Sequence, residues 1–574
     1  MIMSENAYSM VLPKIRGCVR AAAGGRFVFS EGFSAACPYP DIAEVFTDRM
    51  RGTGYRPGAG PSVLFFEYDE KIPDGGYAVR VETDVIAVVA SGRAGCSNAL
   101  ATVYQLAAHG ADGIPCGEIS DGPAYGVRGI ALDTVRHFIP VAEMERIIEQ
   151  CSLLKLNSLR LHLSDDQGYR LESKRYPGLN EAASFREISP QDPAVQKGLF
   201  APGERYGGYY TQEEIRALVS FAAARGVTLI PGIEMPGHAS ALLSFRPEYT
   251  CSGEKLKVRG TFGVHGRIFC AGNGEAAAFI EGLLEEICAL FPSEYVHIGG
   301  DEVKKDEWKK CPRCAKRIAA LGSAERVQVS FMNRICAFLR KKGKTPLVFN
   351  ESAAGGDLDP AACVQYWTEM NAGESYMLPE IGKGRKILFS NMNEFYCDYS
   401  YADIPMRATY NFTPHVKDAP VPRENVLGIE APLWTEWLCE AGEMERQLYP
   451  RMTAVAACGW EEEKDYAAFL EREGAFVASP ALSVLQPMPG EEAFVQGDAA
   501  IAEIIRNMAL TGGRIRSMRE FDENEPAGLA EAVGVDGGEK ADPKEAARAY
   551  IRDRMRAAYT EEEIAKVIAL LGAS

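Results

Sequence analysis

The most constraining feature of the chain lies between residues 127 and 460, where short apolar runs alternate with stretches of helical spacing. A buried strand followed by a helix is the repeating unit of a parallel sheet covered by helices. Eight strands of this kind are predicted, near Gly129–Val135, Ser158–Leu163, Thr228–Glu234, Tyr295–Gly299, Pro346–Asn350, Val364–Trp367, Lys386–Ser390 and Val426–Glu430. Eight consecutive units predict an α/β fold of the (β/α)8 TIM-barrel type.

The regions on either side of this repeat have different patterns. Residues 1–122 combine strand-like runs, such as Ser62–Tyr68 and Val85–Ala90, with a helical stretch over Gly95–His109, which predicts a small α/β N-terminal domain. The barrel is assigned to residues 123–478. Residues 479–574 are charged and helix-forming, and predict a helical C-terminal region packed on the barrel or on a second subunit, so a homodimer is one expected partner.

Charge and hydropathy exclude several classes of function. Lys and Arg number 62 against 79 Asp and Glu, which gives a net charge of −17 and argues against nucleic acid or an anionic membrane as partner. The first residues lack a basic segment followed by an apolar one, and no run approaches the length of a membrane span. These features predict a cytoplasmic protein.

The cysteines predict reduced thiols. They are 15 in number and scattered, which disfavours a disulfide framework. One C-x-x-C occurs, Cys311-Pro-Arg-Cys314, without a second cysteine or histidine pair at zinc-finger spacing, and this favours an ordinary loop over a structural zinc. The sequence therefore predicts no metal and no cofactor.

Functional side chains of a (β/α)8 barrel collect at the carboxyl ends of its strands. Nearly every predicted strand ends in polar or aromatic residues, namely Asp133, Arg136, His137, His162, Asp165, Asp166, Glu234, His238, Asp301, Glu302, Asn350, Glu351, Trp367, Tyr396, Asp398, Trp434 and Glu436. We expect them to form one site at that rim.

The pair Asp301-Glu302 has the composition of an acid catalyst. Successive residues at a strand end point to different sides, so one carboxyl can protonate a leaving group while the other stabilises charge. An ionised Asp301 would also keep Glu302 protonated. Alone, the pair would be read as a surface feature; a Gly-Gly-Asp-Glu signature of cyclic-dinucleotide synthesis is disfavoured because Val303 stands where Phe is usual.

Several long runs resemble glycoside hydrolase family 20, the β-N-acetylhexosaminidases. The runs are Tyr125–Phe138, Lys155–Arg170, Gly207–Thr211, Pro236–His238, His297–Val303 and Trp434–Glu436, within a resemblance that covers about residues 60 to 460. The resemblance implies an exo-acting enzyme that removes terminal β-linked GlcNAc or GalNAc from a small oligosaccharide with retention, through a substrate-assisted, oxazolinium-forming reaction.

The resemblance also implies roles for individual residues. Glu302 would be the general acid/base and Asp301 would orient the 2-acetamido group, with Asp165 and His238 as a polar relay behind Glu302. The implied substrate-binding residues are Arg136, His162, Phe349, Trp367, Tyr396, Asp398, Trp434 and Glu436. Among these, Arg136 and Glu436 would hold the far hydroxyls, Asp398 would contact the sugar, Tyr396 would bind the acetamido oxygen, and Trp367 and Trp434 would enclose its methyl group.

Two departures from the family pattern leave the pocket width and the gluco or galacto preference open. The usual Pro-Glu-x-Asp-x-Pro-Gly-His reads Pro231-Gly-Ile-Glu234-Met-Pro-Gly-His238, and Phe349 stands where a third pocket tryptophan is expected. The alternatives are a catalytically silent carbohydrate-binding barrel, a relative that releases a disaccharide or a substituted (for example sulfated) sugar, and a metalloenzyme that uses His162, His238 and His297.

Overall fold

The structure is a computed structural model that describes residues 7–20, 24–110, 112–370, 372–399, 401 and 403–487, with the isolated positions 560, 562 and 565. Its amino-terminal part contains a six-stranded sheet. In sheet order the strands are Gly17–Arg20, Gly117–Asp121, Tyr77–Val81, Ile86–Ala90, Ser62–Tyr68 and Ser34–Ala35. Two helices, Pro40–Gly52 and Arg93–His109, belong to the same part of the chain.

Eight parallel strands then close a barrel. They are β1 (Val127–Asp133), β2 (Ser158–His162), β3 (Thr228–Gly232), β4 (Tyr295–His297), β5 (Thr345–Phe349), β6 (Cys363–Tyr366), β7 (Ile387–Phe389) and β8 (Val426–Leu433). Each strand pairs with the next in sequence, and β8 pairs with β1 from Gly428–Val127 to Leu433–Leu132. The residues of β2 are all buried, because the barrel lies on one face of the strand and helices cover the other.

Helices lie between the barrel strands and after the last one. The longer ones are Val141–Leu153, Gln212–Ala224, Gly274–Leu290, Pro312–Leu321, Ala324–Lys341, Ala441–Leu448, Arg451–Trp460 and Tyr466–Val477. Shorter helices are Leu179–Ala183, Pro193–Gln196, Ser240–Phe245, Asp306–Lys310, Met377–Gly382, Met392–Phe395 and Met406–Tyr410. Several begin at side-chain caps; Thr211 and Glu214 form a reciprocal capping box, and Asn273 and Ser323 cap the two long helices after them. Among the described residues, no helix is both long and apolar enough to cross a membrane.

A charge pair fills the barrel interior below its carboxyl end. The Arg160 guanidinium donates from Nε to Glu430 Oε1 at 2.9 Å, and the side chains of both residues are fully buried. Gln365 donates to the same Glu430 oxygen at 2.8 Å. Burial of one unpaired charge is costly, so the opposite charges of Arg160 and Glu430 stabilise each other in the barrel interior. These two residues and Gln365 form the floor of the barrel, which lies below the rim.

A second buried pair joins the amino-terminal sheet to the barrel. Lys155 Nζ lies 3.3 Å from Asp121 Oδ2 and donates to the Tyr77 hydroxyl at 3.0 Å. The Trp460 indole donates to the other oxygen of Asp121 at 2.9 Å. One carboxylate thus connects the sheet, the loop before β2 and the helix that follows β8.

The structure confirms the predicted barrel and the preceding α/β sheet. Each of the eight predicted strands overlaps an observed one, with ends that differ by up to three residues. The boundaries at residues 122 and 478 stay predictions. In the C-terminal region, residues 479–487 are not helical, and the helices predicted within residues 499–506 and 544–571 lie outside the described residues apart from positions 560, 562 and 565.

Candidate active site

The carboxyl end of the barrel carries a dense ionic cluster centred on Arg136. Its guanidinium lies 3.0 Å from Asp133, 2.9 Å from Asp165 and 3.5 Å from Glu436. Asp133 also accepts from the backbone N–H groups of Val135 and Arg136, which fixes the turn after β1. Burial would lower the pKa of Arg136, but its three carboxylate neighbours hold that pKa well above its usual value.

A chain of polar contacts runs from this cluster to Glu302. Asp165 Oδ2 lies 2.8 Å from His162 Nε2, and its other oxygen lies 3.2 Å from His238 Nδ1. The opposite nitrogen of the His238 ring, Nε2, lies 3.3 Å from Glu302 Oε2. Burial alone would raise the pKa of Asp165 and lower the pKa of His238. Arg136 and His238 instead hold the pKa of Asp165 well below its ordinary value, and Asp165 holds the pKa of His238 well above its ordinary value.

The backbone at the rim is contorted to bring these groups together. Gly299 and Gly300 have φ of 65° and 102°. A Cβ at Gly299 would lie 1.8 Å from Glu234 Oε2, and one at Gly300 would lie 1.9 Å from Ser352 Oγ, so only glycine fits at either position. His238 and Glu302 themselves have φ of 46° and 48°. Non-glycine residues in this region cost of order 1–3 kcal/mol each and cluster at functional sites.

Asp301 lies beside the relay, in a more buried place than its neighbour. Its side chain is 14% exposed against 38% for Glu302, and its Oδ2 lies 3.9 Å from His238 Nε2. Burial raises the pKa of Asp301; His238 partly offsets this rise and Glu302 adds to it. Its Oδ1 is buried and accepts no hydrogen bond from the described residues.

Glu234 is the second acid of this corner. Burial and the charge of Asp301 raise the pKa of Glu234 well above its ordinary value. The sequence placed Glu234 at the rim and within the altered family pattern, without assigning it a role. Its longer side chain reaches into the space that Gly299 leaves open.

Three aromatic side chains form a wall on the other side of the rim. The rings of Trp367 and Tyr396 stack with centroids 6.3 Å apart, and Tyr396 lies 6.4 Å from Trp434. The edge of His162 meets Trp434 at 5.2 Å, and the Arg136 guanidinium lies 5.3 Å over the same indole. The wall is therefore fixed to the ionic cluster.

Trp367 is held by two residues that sequence reasoning placed at the end of β5 without a role. The Glu351 carboxylate accepts from the Trp367 indole N–H at 3.0 and 3.1 Å. Asn350 accepts from the Trp367 backbone N–H and donates to the Thr368 carbonyl. Burial and the charge of Asp301 raise the pKa of Glu351 to about 8.

Two further acids lie at the far end of the cluster. Burial raises the pKa of Glu436 to about 7 even though Arg136 opposes the shift. Burial and the nearby Glu436 raise the pKa of Asp398 well above its ordinary value. Protonated carboxyls of this kind can donate as well as accept hydrogen bonds.

Phe349 lies lower in the barrel than the aromatic wall. Its ring is buried against His297, with centroids 4.4 Å apart, and lies 5.6 Å from the Arg160 guanidinium. Burial, followed by Arg160, holds the pKa of His297 well below its usual range. A contact between Phe349 and a substrate methyl group stays a prediction.

The rim thus gathers the predicted residues into two neighbouring groups. The ionic group contains Arg136, His162, Asp165, His238, Asp301, Glu302 and Glu436. The aromatic group contains Trp367, Tyr396 and Trp434, with Asp398 near Tyr396. A closed parallel barrel with adjacent acids and an aromatic wall at this rim has the architecture of a (β/α)8-barrel glycoside hydrolase.

Comparison with known families agrees with this class. Residues 125–463 match the glycosyl hydrolase family 20 catalytic domain, and residues 35–122 match domain 2 of the same family. The chain belongs to glycoside hydrolase family 20.

Individual relatives are similar over most of the chain. A beta-hexosaminidase of Akkermansia muciniphila is 33% identical over 416 residues, 68% of this chain and 81% of the relative. One of Porphyromonas gingivalis is 31% identical over 466 residues, 75% of this chain but 58% of the relative's length. The crystal structure of an exo β-N-acetylglucosaminidase from Vibrio harveyi, in complex with N-acetylglucosamine, matches with a TM-score of 0.72 at 26% identity, covering 84% of this chain and 78% of that one.

Proposed function

We propose that the protein is an exo-acting β-N-acetylhexosaminidase that hydrolyses terminal β-linked GlcNAc or GalNAc with retention, using the substrate's own acetamide as nucleophile. The observation that carries this proposal is the contact series Asp165–His238–Glu302, with the half-buried Asp301 beside it and the aromatic wall opposite. The similarity to an enzyme whose structure contains N-acetylglucosamine supports the sugar class.

In the first step Glu302 donates its proton to the glycosidic oxygen as the bond to the anomeric carbon breaks. Glu302 is the more exposed of the two acids, so it can face the leaving group. The acetamide oxygen attacks the anomeric carbon and forms a bicyclic oxazolinium ion. The alcohol leaves as a neutral molecule, so the developing positive charge stays on the ring and the amide nitrogen.

Asp301 stabilises that charge by accepting the amide N–H. The neighbouring Glu234 supports this role, because burial and the charge of Asp301 raise the pKa of Glu234 and favour its protonated form, which leaves Asp301 as the charged acceptor. Preorganised charge at the place where charge develops is commonly the largest catalytic contribution.

In the second step Glu302, now a carboxylate, removes a proton from water. The hydroxide oxygen attacks the anomeric carbon, the oxazolinium ring opens, and the acetamide is restored. His238 lies 3.3 Å from Glu302 and is kept protonated by Asp165, so it stabilises the carboxylate form between the two steps.

The exo character follows from the charged end of the cluster. Arg136 and Glu436, with Asp398 near them, offer donors and acceptors for the hydroxyls of one terminal sugar. A second sugar beyond that point would have to displace these groups. The aromatic wall encloses the acetamide methyl group, whose burial contributes about 0.8 kcal/mol.

Hydrolysis of three aryl glycosides tests the proposal: the N-acetylglucosaminide, the N-acetylgalactosaminide and the glucoside. We expect turnover of at least one acetamido sugar and at least about a thousandfold lower kcat/KM for the glucoside, which lacks the nucleophile and leaves buried polar groups unpaired. A thiazoline analogue of the bicyclic intermediate should inhibit far more tightly than free GlcNAc. No turnover of any acetamido glycoside, whether an aryl monosaccharide, a disaccharide or a sulfated sugar, would leave the silent barrel as the correct alternative.

A further inference from the structure

Four cysteines converge on one point behind the rim. The Sγ atoms of Cys251, Cys270, Cys311 and Cys314 all lie within 4.8 Å of one another. Three of the separations are 3.8 Å (Cys251–Cys314), 3.9 Å (Cys270–Cys311) and 3.5 Å (Cys270–Cys314). We propose that these four thiolates form a structural zinc site.

The separations have the size that a tetrahedral zinc centre requires. A Zn–S bond of about 2.3 Å places the corners of the tetrahedron about 3.8 Å apart. Disulfide-bonded sulfurs would lie about 2.05 Å apart, and every cysteine of the cluster is free. The cavity between the sulfurs fits one ion, whereas an iron–sulfur cluster would hold its cysteines further apart.

The surroundings of the sulfurs are also those of a bound metal. Cys270, Cys311 and Cys314 are buried, and Cys251 is half-buried, which leaves one side through which an ion can enter. The Gly272 N–H donates to Cys314 Sγ at 3.3 Å, a contact that stabilises a thiolate. The chain approaches closely there, since a Cβ at Gly272 would lie 2.6 Å from the Cβ of Arg313.

The cysteine cluster was not evident from the sequence, because only two of its four cysteines form a local motif. Cys311 and Cys314 form a C-x-x-C at the start of the helix Pro312–Leu321. Cys251 and Cys270 stand at the two ends of a long loop, so no second close pair marks them. The sequence predicted an ordinary loop at Cys311–Cys314 and no metal. The proposed zinc site replaces both predictions.

The position of the four cysteines shows which parts of the chain a zinc ion would hold together. Cys251 and Cys270 belong to the connection after β3, which also carries His238. Cys311 and Cys314 belong to the connection after β4, which carries Asp301 and Glu302. One ion would tie together the two connections that supply the relay and the acid pair.

Direct contacts along this seam show how closely the two connections are joined. The Trp308 indole of the second connection donates to the Phe269 carbonyl of the first at 2.9 Å. Within the first connection, the Phe269 N–H donates to the Pro236 carbonyl at 2.9 Å. The loop bracketed by Cys251 and Cys270 reaches the rim, where the Thr261 carbonyl accepts from Gln167. Zinc at the base of this loop would fix its two ends.

Metal analysis of the full-length protein tests the proposal. The protein is expressed with added zinc, purified without chelator, and passed into metal-free buffer before zinc and iron are measured. We expect one zinc per chain, and at least about a tenfold lower content in Cys314→Ser. Cys336→Ser, which alters a buried thiol in the helix Ala324–Lys341, is the matched control and should keep its zinc.

If Cys314→Ser does not fold, X-ray absorption at the zinc edge of the wild-type protein still tests the proposed zinc site. We expect four sulfur neighbours at about 2.3 Å. Four outcomes would each overturn the proposal. They are protein without zinc after these steps, one iron in place of zinc, nitrogen or oxygen neighbours at the metal, and an intact mass that shows two disulfides. None of these measurements depends on enzymatic activity, so failure of the proposed function would leave them unaffected.

Discussion

Two ionic clusters occupy the same barrel at different heights, and they are built differently. At the floor, Arg160 faces Glu430, one cation against one anion, with no exposure of either side chain. At the rim, Arg136 and His238 share a small volume with an excess of acids: Asp133, Asp165, Glu234, Asp301, Glu302 and Glu436. Matched charge stabilises the floor, whereas surplus acid at the rim raises the pKa of several carboxyls.

The consequence of that surplus is chemical. The pKa of Glu436 is raised to about 7 and that of Glu351 to about 8, in both cases by burial first. Carboxyls that titrate near neutral pH can hold or move protons during a reaction. We therefore expect changes at the rim to alter activity and changes at the floor to alter stability.

The largest expected effect is that of Glu302→Gln. Without the proton donor, kcat/KM on alkyl glycosides should fall by about a thousandfold or more, and much less on aryl glycosides whose leaving groups need little protonation. The melting temperature should stay near that of the wild type, since Glu302 is the exposed member of the pair. Equal losses on both kinds of substrate would contradict the assignment of the acid.

The reverse pattern is expected for Arg160→Met. The variant leaves Glu430 buried without its partner, which should cost about 3–5 kcal/mol of stability in denaturant unfolding. The double variant Arg160→Met/Glu430→Leu should recover much of that loss, because it leaves no unpaired charge. A single variant as stable as the wild type would show that the floor pair contributes little.

Glu351, at the rim, is expected to make the stability of the protein depend on pH. Its pKa is raised from 4.5 to about 8 on folding, so its contribution to stability is fully present below about pH 4.5 and is lost as the pH rises through about 8. Glu351→Gln should remove this slope from a plot of the free energy of unfolding against pH. It should also raise KM moderately, because the amide offers the Trp367 indole one acceptor oxygen, whereas both oxygens of Glu351 face it. An unchanged pH slope in the variant would contradict the assignment.

The smallest effect is expected at Phe349, which lies between floor and rim. Because Phe is smaller than Trp, the wild type should tolerate an N-propionyl sugar better than Phe349→Trp does. The measurement is the ratio of kcat/KM for N-acetyl over N-propionyl aryl glycosides, with melting temperature as the control for overpacking against His297. A ratio that the substitution leaves unchanged would show that Phe349 does not line the pocket.

The sequence predicted the barrel well because its strands are buried on both faces. Such strands appear as short apolar runs, and helical spacing separates them, so β1 to β8 could be recognised one by one. The strand ends were harder to predict, because buried apolar residues such as Val135, Ile233 and Ile298 continue beyond the strands into the rim loops.

The contacts within the site were harder to predict. The hydrogen bond of Trp367 to Glu351 and the electrostatic contact of Glu234 with Asp301 join residues that follow different strands. The sulfur cluster joins Cys251 and Cys270 to a pair that lies 41 to 63 residues further along. Pairings of this kind leave no local period in a sequence, and they depend on how the loops close above the barrel.

The central claim is that the nucleophile belongs to the substrate and that the rim only supplies charge and protons. It is tested most directly by aryl glycosides whose acetamide carries zero, one, two or three fluorine atoms on its methyl group. Fluorine withdraws electrons from the amide oxygen, so we predict that kcat/KM falls steeply and steadily along the series. Rates that do not depend on fluorination, or a glycosyl ester trapped on Asp301 or any other carboxylate, would contradict the claim.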